Sequence, residues 1–253
     1  MTLQYDMLRE LLDAMASQGG QYQVAAEAQQ YAFPPTPGLV PPSTFICAAV
    51  NDYNVILART DLNRRTFQWT NPQSGQFVSR VLLPTPIGSI PLPRSWASVD
   101  AQIHGHPFRF IDTHLESFAP SIREAQASEL RAGPANTSLP VIIAMDSNAQ
   151  ASPLPQDAAY VGFIAAGYND TWQEVFAGSQ GFTCCQNESD NNPVSQLSQR
   201  IDLILTTGEI AAKRISVFGA DAGSRLADGL WPSDHAGVAA TLRVGNDMEE
   251  DLD

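Results

Sequence analysis

Residues 97–116 read ASVDAQIHGHPFRFIDTHLE, and this stretch decides the fold. Apolar and polar residues alternate from Ala97 to Ile103, which is the period of a half-buried strand. His104-Gly105-His106-Pro107 interrupts the alternation with turn chemistry, and Phe108 to Thr113 resumes it. Two alternating runs around a short Gly-bearing turn predict a β-hairpin. The period then changes. Ser121 and Glu124 have the Ser-x-x-Glu spacing of a capping box, and Gly133-Pro134 ends the helix they would open. Val141 to Met145, VIIAM, is apolar on both faces and predicts a buried strand. Strands outnumber helices, and hairpins mix with longer crossovers. That pattern predicts one α/β domain of two packed sheets with helices outside.

The flanks extend the same pattern. Leu3, Met7, Leu8, Leu11, Leu12 and Met15 follow helical spacing, and Gly19-Gly20 stop the helix. Tyr22 to Ala28 and Asn54 to Ala58 predict strands. Between them Phe33 to Pro42, which contains PPTPGLVPP, predicts a loop. Thr66–Trp69 and Phe77–Leu83 predict a strand pair around turn signals. Ser152-Pro153 predicts the opening of a helix that ends near Gly167. Strands are expected over 201–206, 214–218 and 236–243. The chain from Gly245 is acidic and expected to be disordered, which leaves residues 1–244 as one domain and 245–253 as a tail.

Composition narrows the function. Acids outnumber bases 27 to 14 over 253 residues, a net charge of −13. Five of those acids lie between Asp247 and Asp253; without them the balance is 22 to 14, or −8. A passive DNA-binding module carries the opposite sign. An enzyme that meets phosphates through a bound cation is compatible with it. The longest apolar runs are about five residues, far below the roughly 20 needed to span a bilayer. Three cysteines make no disulfide framework, and Cys47, Cys184 and Cys185 read as core or loop residues.

Ionisable groups collect at four strand ends. They are Asp112-Thr113-His114-Leu115-Glu116, Asp146-Ser147-Asn148, Arg200-Ile201-Asp202 and Ser233-Asp234-His235. Each alone has a bland reading as a turn, cap or hydrogen-bonded structural residue. His104 and His106 read as turn residues more readily than as a metal pair. Glu116 suits either a supporting carboxylate or a solvated position before the helix. Asp170, in GYNDTW, reads as structural, and Trp69, Trp96, Trp172 and Trp231 as core or pocket wall.

As an ordered set, DTHLES, VIIAMDSNA, QRIDLIL and WPSDHAGVAATL resemble the endonuclease/exonuclease/phosphatase family, over about residues 1–243. The resemblance implies a DNase I-like fold: two β-sheets packed as a sandwich between helices, four layers in all. It implies a divalent-metal-dependent hydrolase of phosphoesters, a phosphodiesterase, nuclease or phosphatase using Mg²⁺ or Mn²⁺. Asp234 would hold the cation. Asp202 and His235 would form an Asp-His pair, in which the carboxylate fixes the imidazole tautomer. Asp146 would orient the attacking water, and either Asp146 or His235 would activate it. Asn148, two residues on in extended chain, would donate to a phosphoryl oxygen, as would His114. Arg94 would contact phosphate, or lie at the surface as a structural residue. The substrate would be nucleic acid, phospholipid or inositol phosphate, and a monomer without a membrane span is expected.

The sequence departs from the family pattern at its start. Relatives open with a strand ending in Asn and a strand ending in Gln-Glu, whose Glu is the principal metal ligand. Here the first segment resembles the helix that follows, so the fold is expected without its first strands. Glu10 and Glu27 stand in the wrong context to replace that Glu. A longer form could carry those strands and an export signal. The departure motivates a second reading, a catalytically impaired or non-catalytic binding domain of the same fold.

Overall fold

A computed structural model describes residues 5–40, 44–85 and 88–245. The elements run α1 (Met7–Ser17), β1 (Tyr22–Val40), β2 (Thr44–Arg59), β3 (Phe67–Gln76), β4 (Val81–Thr85), β5 (Gly88–Leu92), β6 (Ser95–Ile103), β7 (His106–His114), α2 (Pro120–Ala132), β8 (Val141–Asp146), α3 (Ala158–Ala165), β9 (Asn169–Asp170), α4 (Thr171–Val175), β10 (Asp202–Thr206), β11 (Ile210–Phe218) and β12 (Gly237–Val244). A six-stranded sheet in the order β3-β6-β7-β8-β10-β9 forms the centre. Its β7 and β8 are parallel, joined through α2, and the other pairs are antiparallel.

Alternation along each strand sorts the side chains to two faces. Ile111, Val141, Ile143, Met145, Leu203 and Leu205 point to one face and bury against Ala127 and Leu130 of α2 and Ala159, Tyr160 and Phe163 of α3. The opposite face carries two hairpins. One is β1–β2, whose Ala25, Ala26, Ala28, Ile56 and Ala58 cover Ala97 and Val99. The other is β11–β12, whose Ile210, Leu242 and Val244 cover Ala101, Phe108, Ile142 and Ile204. Central strands covered on both sides explain why VIIAM carries no polar alternation. The second layer is thus two separate hairpins rather than one continuous sheet among the described residues. The α1 helix contacts β1 and leaves Leu8, Leu12 and Met15 half-buried.

The β6–β7 hairpin forms as its alternation predicts. Ile103 pairs with His106, and His104 and Gly105 form the turn with φ of 48° and 89°. A two-residue turn of the I′ type has positive φ at both central residues, which glycine adopts without a Cβ clash. Four local expectations are corrected. Residues 33–40 are strand rather than loop; they pair with 44–50, and a register shift between Phe33 and Thr36 accommodates prolines that cannot donate to the ladder. Residues 41 and 42 of that predicted loop lie outside the described residues. The second strand of the 66–83 pair does not form as expected, because β3 runs on to Gln76 against β6, and β4 pairs with β5. No capping box closes at Ser121, since Pro120 takes the first helical position and Ala119 is the cap. The helix after Ser152-Pro153 begins only at Ala158, where Asp157 accepts from the Ala159 amide. The predicted acidic tail beyond Gly245 lies outside the described residues.

Candidate active site

Three neighbouring strands bring three ionisable side chains into one row. His114 is the last residue of β7, Asp146 the last of β8 and Asp202 the first of β10. His114 is the pairing partner of Asp146, and Asp146 that of Asp202. Equal register and a side-chain period of two place all three on the hairpin face of the sheet. A row beyond the carboxyl ends of parallel strands is where open α/β sheets bind ligands.

His235 closes on the row from outside the sheet. Its Nδ1 lies 2.9 and 3.1 Å from the two oxygens of Asp202. The segment Thr183–Gln186 sets this approach. Cys184 bridges both Gln199 and His235. The Gln186 amide donates to the Asp234 carbonyl at 2.8 Å, and the Ala236 amide to the Thr183 carbonyl at 2.7 Å. On its other side the Thr183 hydroxyl accepts from the amides of Ile201 and Asp202 at 3.3 and 3.2 Å. This short segment therefore fastens His235 to the start of β10.

Charge around the row sets the protonation states. The hydrogen bond to Asp202 raises the His235 pKa to about 9 against the effect of burial, with the charges of Asp202, Asp146 and Asp234 adding to it. His235 is therefore an imidazolium at neutral pH. Burial, and then the Asp202 charge, push Asp146 up to about 6, opposed by the Asn148 amide. Burial, Arg94 and His235 push His114 down to about 3, so it is neutral. Its Nε2 lies 3.1 Å from both Asp146 and Arg94, and its Nδ1 lies 3.4 Å from the Gln30 amide nitrogen.

Arg94 is buried beneath this row. Its Nη1 lies 3.1 Å from His114 Nε2, its Nη2 donates to the Ser117 hydroxyl at 3.1 Å, and its Nε faces Glu116 at 3.8 Å. Glu116 is itself buried and accepts from the Phe118 amide at 2.8 Å. The surface alternative for Arg94 and the solvated alternative for Glu116 are both corrected, because a buried guanidinium needs a buried carboxylate close by.

Asn148 departs from the geometry expected of it. Its φ is 48°, so the chain is not extended after Asp146. Its Nδ2 donates to the Leu115 carbonyl at 3.0 Å, which ties the two loops that follow β7 and β8. Asp234 is exposed, beside His235, with its carboxylate 3.5 Å from the Ser233 hydroxyl. It is not part of the Asp146, Asp202 and His235 group, whose ligand atoms lie within 4.8 Å of one another. Two neighbouring carboxylates, one of them raised by the other's charge, with an imidazole alongside, suit a divalent cation. Glu10 and Glu27 are exposed and belong to no candidate metal group among the described residues. His104 and His106 belong to no candidate metal group among the described residues.

Two contributors escape a reading of the sequence. Gln30 is buried, donates to Asp52 at 2.9 Å and braces His114; its only signal is a polar residue in an alanine-rich strand. Thr183 sits in GFTCCQ, which has no periodicity. Asp170 is structural as expected: Arg200 grips it through two bonds of 3.1 and 2.6 Å, both residues buried.

No protein-family model matches the chain, and a search of curated proteins finds no match. Solved structures do match. An endonuclease/exonuclease/phosphatase family protein from Bacteroides thetaiotaomicron superposes with a TM-score of 0.56 at 18% identity, over 93% of this chain and 77% of that one. D. rerio TDP2, solved with a single-strand DNA product, gives 0.54 at 17% identity, over 93% and 91%. A mannosyl-6-phosphatase from B. thetaiotaomicron VPI-5482 gives 0.53 at 17%, over 93% and 82%. These likenesses establish the fold, a DNase I-like α/β architecture.

Proposed function

We propose that this chain is a divalent-cation-dependent hydrolase of phosphoesters. The observation that carries the reading is the row His114–Asp146–Asp202, closed by His235 at 2.9 Å from Asp202. A phosphoester is anionic and repels an attacking hydroxide. Its hydrolysis needs a base for water, donors for the phosphoryl oxygens and a proton source for the leaving oxygen. Asp146 is the base, since its pKa of about 6 leaves it ionised yet basic at neutral pH. His235 is the acid and donor: Asp202 holds Nδ1–H, so Nε2–H remains for a phosphoryl or leaving oxygen. Neutral His114 packs its Nε2 between Asp146 and Arg94, 3.1 Å from each. Arg94 adds a fixed positive charge behind His114. Contact of Arg94 with phosphate, and donation by the second Asn148 amide proton, belong to the same proposal.

Asp146 and Asp202 are the carboxylates best placed for a Mg²⁺ or Mn²⁺ ion, and Asp234 is the further candidate. A bound cation of this kind supplies charge neutralisation at the phosphoryl oxygens and lowers the pKa of a coordinated water. One structural neighbour holds a single-strand DNA product and another is named a mannosyl-6-phosphatase, so both nucleic-acid and sugar phosphoesters belong in the screen. The test incubates the full chain with nitrophenyl phosphate mono- and diesters, single-stranded DNA and sugar phosphates, each with Mg²⁺, with Mn²⁺ and with chelator. Cation-dependent release from one class supports the proposal. No release from any class, or release unaffected by chelator, contradicts it and favours a binding role.

A further inference from the structure

Cys184 and Cys185 lie on the far side of His235 from Asp202. The bridge between Cys184 and His235 sets their position. Cys184 is buried and Cys185 half-exposed, and the two sulfurs are joined as a vicinal disulfide. The Cys185 sulfur lies 4.0 Å from His235 Nε2, the nitrogen that Asp202 leaves free. Ligand atoms of Cys184, Cys185 and His235 all fall within 4.8 Å of one another. His235 thus stands between two donor sets: carboxylate oxygens on its Nδ1 side and sulfurs on its Nε2 side.

The two sets select different ions. Carboxylates suit Mg²⁺ and Mn²⁺, whereas two thiolates and an imidazole suit Zn²⁺. A carboxylate on Nδ1 is also the usual support for a histidine that binds metal through Nε2, because it fixes the tautomer and orients the ring. We propose that, once Cys184 and Cys185 are reduced, they and His235 Nε2 form a site for a thiophilic divalent cation of the Zn²⁺ class, and that its occupation withdraws His235 from hydrolysis. An external dithiol opens the bridge: it is oxidised to its own disulfide, and the Cys184–Cys185 bond takes up two electrons and two protons. Binding then releases the two thiol protons, and the Nε2 proton where present, to solvent. In the oxidised chain the sulfurs hold each other and the site is closed. The cation would act as a redox-gated inhibitor.

The probe is Co²⁺, titrated into the full chain after reduction with a phosphine and its removal. The expected result is one equivalent bound with a thiolate-to-cobalt charge-transfer band, displaced by Zn²⁺. The band should be absent from the oxidised chain and from Cys184→Ser/Cys185→Ser. Cys185→Ser alone, at a half-exposed position, should weaken the band without affecting folding. His235→Gln should keep a band and weaken cobalt about tenfold or more, since one of three ligands is gone. No band in the reduced wild type, or a band that survives the double substitution, overturns the site. An affinity unchanged by His235→Gln overturns the part given to His235. The effect on catalysis rests on the proposed function, whereas the cobalt spectrum does not. A chain that shows the band but hydrolyses nothing would contradict the function alone.

Discussion

The His235 Nδ1 sits 2.9 Å from Asp202 Oδ2, although 33 residues separate the two in sequence. Asp202 stands at the edge of the central sheet, and His235 lies on the segment before β12. The strap Thr183–Gln186, bonded to both segments, helps hold them at that distance. The pair makes His235 a cation at neutral pH and commits its Nδ1 to Asp202.

Replacing Asp202 with Asn removes the largest cause of the raised His235 pKa. The His235 titration, followed by NMR of the ring protons, should move from about 9 toward the usual 6.5. A raised pKa stabilises the fold fully below the unfolded value, and that contribution is lost as pH rises through the folded one. The wild type should therefore lose stability as pH climbs from about 6.5 to about 9 and level off above, and Asp202→Asn should lack that loss.

Hydrolysis needs Asp146 ionised and His235 protonated. The rate should rise as Asp146 ionises and fall as His235 loses its proton, at or below the cation-free values of about 6 and about 9 once a cation is bound. A pH–rate profile checks this. Asp146→Asn should remove the acid limb together with a factor on the order of 10²–10⁴ in rate.

Asp112 lies on the hairpin face of β7, two residues before His114. Burial raises its pKa from 3.8 to about 7, against hydrogen bonds from the Val55 and Thr113 backbones. The folded chain then binds this proton more tightly than the unfolded chain. Stability should fall as pH climbs from 3.8 to about 7 and level off above. Asp112→Asn keeps the shape without the charge and should raise stability at pH 8 by roughly 2–4 kcal/mol. Urea unfolding at pH 5 and pH 8 reads the difference.

Arg200 and Asp170 form a buried pair, with side-chain exposures of 2% and 4%. Arg200→Met leaves the Asp170 carboxylate buried without its counter-charge and should cost about 3–5 kcal/mol. Arg200→Met with Asp170→Asn should recover part of that loss in denaturant unfolding.

The fold was legible wherever local pattern and burial agree. The β6–β7 hairpin, the apolar run of β8 and the strand after Arg200 all satisfy one period and one environment. Asp146, Asp202 and His114 were legible because an ionisable residue at the end of an apolar strand has few places to go. The β1–β2 hairpin was not legible past Phe33, because Pro34, Pro35 and Pro37 read as breakers and only the register shift reconciles them with a ladder. The burial of Glu116 depends on Arg94, 22 positions earlier, and no local period encodes such a pair. Thr183 acts through its hydroxyl and its carbonyl, and backbone bridging leaves no residue-type signature. Asn148 shows the limit of spacing arguments: a positive φ after the last strand residue undoes the expected shared direction.

The central claim is that this row hydrolyses phosphoesters, and one comparison tests it most directly. It measures kcat/KM for wild type, Asp146→Asn and His235→Gln on the fastest phosphoester, with Mg²⁺ or Mn²⁺ present and folding checked by thermal unfolding. The expected result is cation-dependent turnover by the wild type and losses on the order of 10²-fold or more in both folded variants. Variants that keep their folds and match the wild-type rate, or a wild type without turnover, would contradict it.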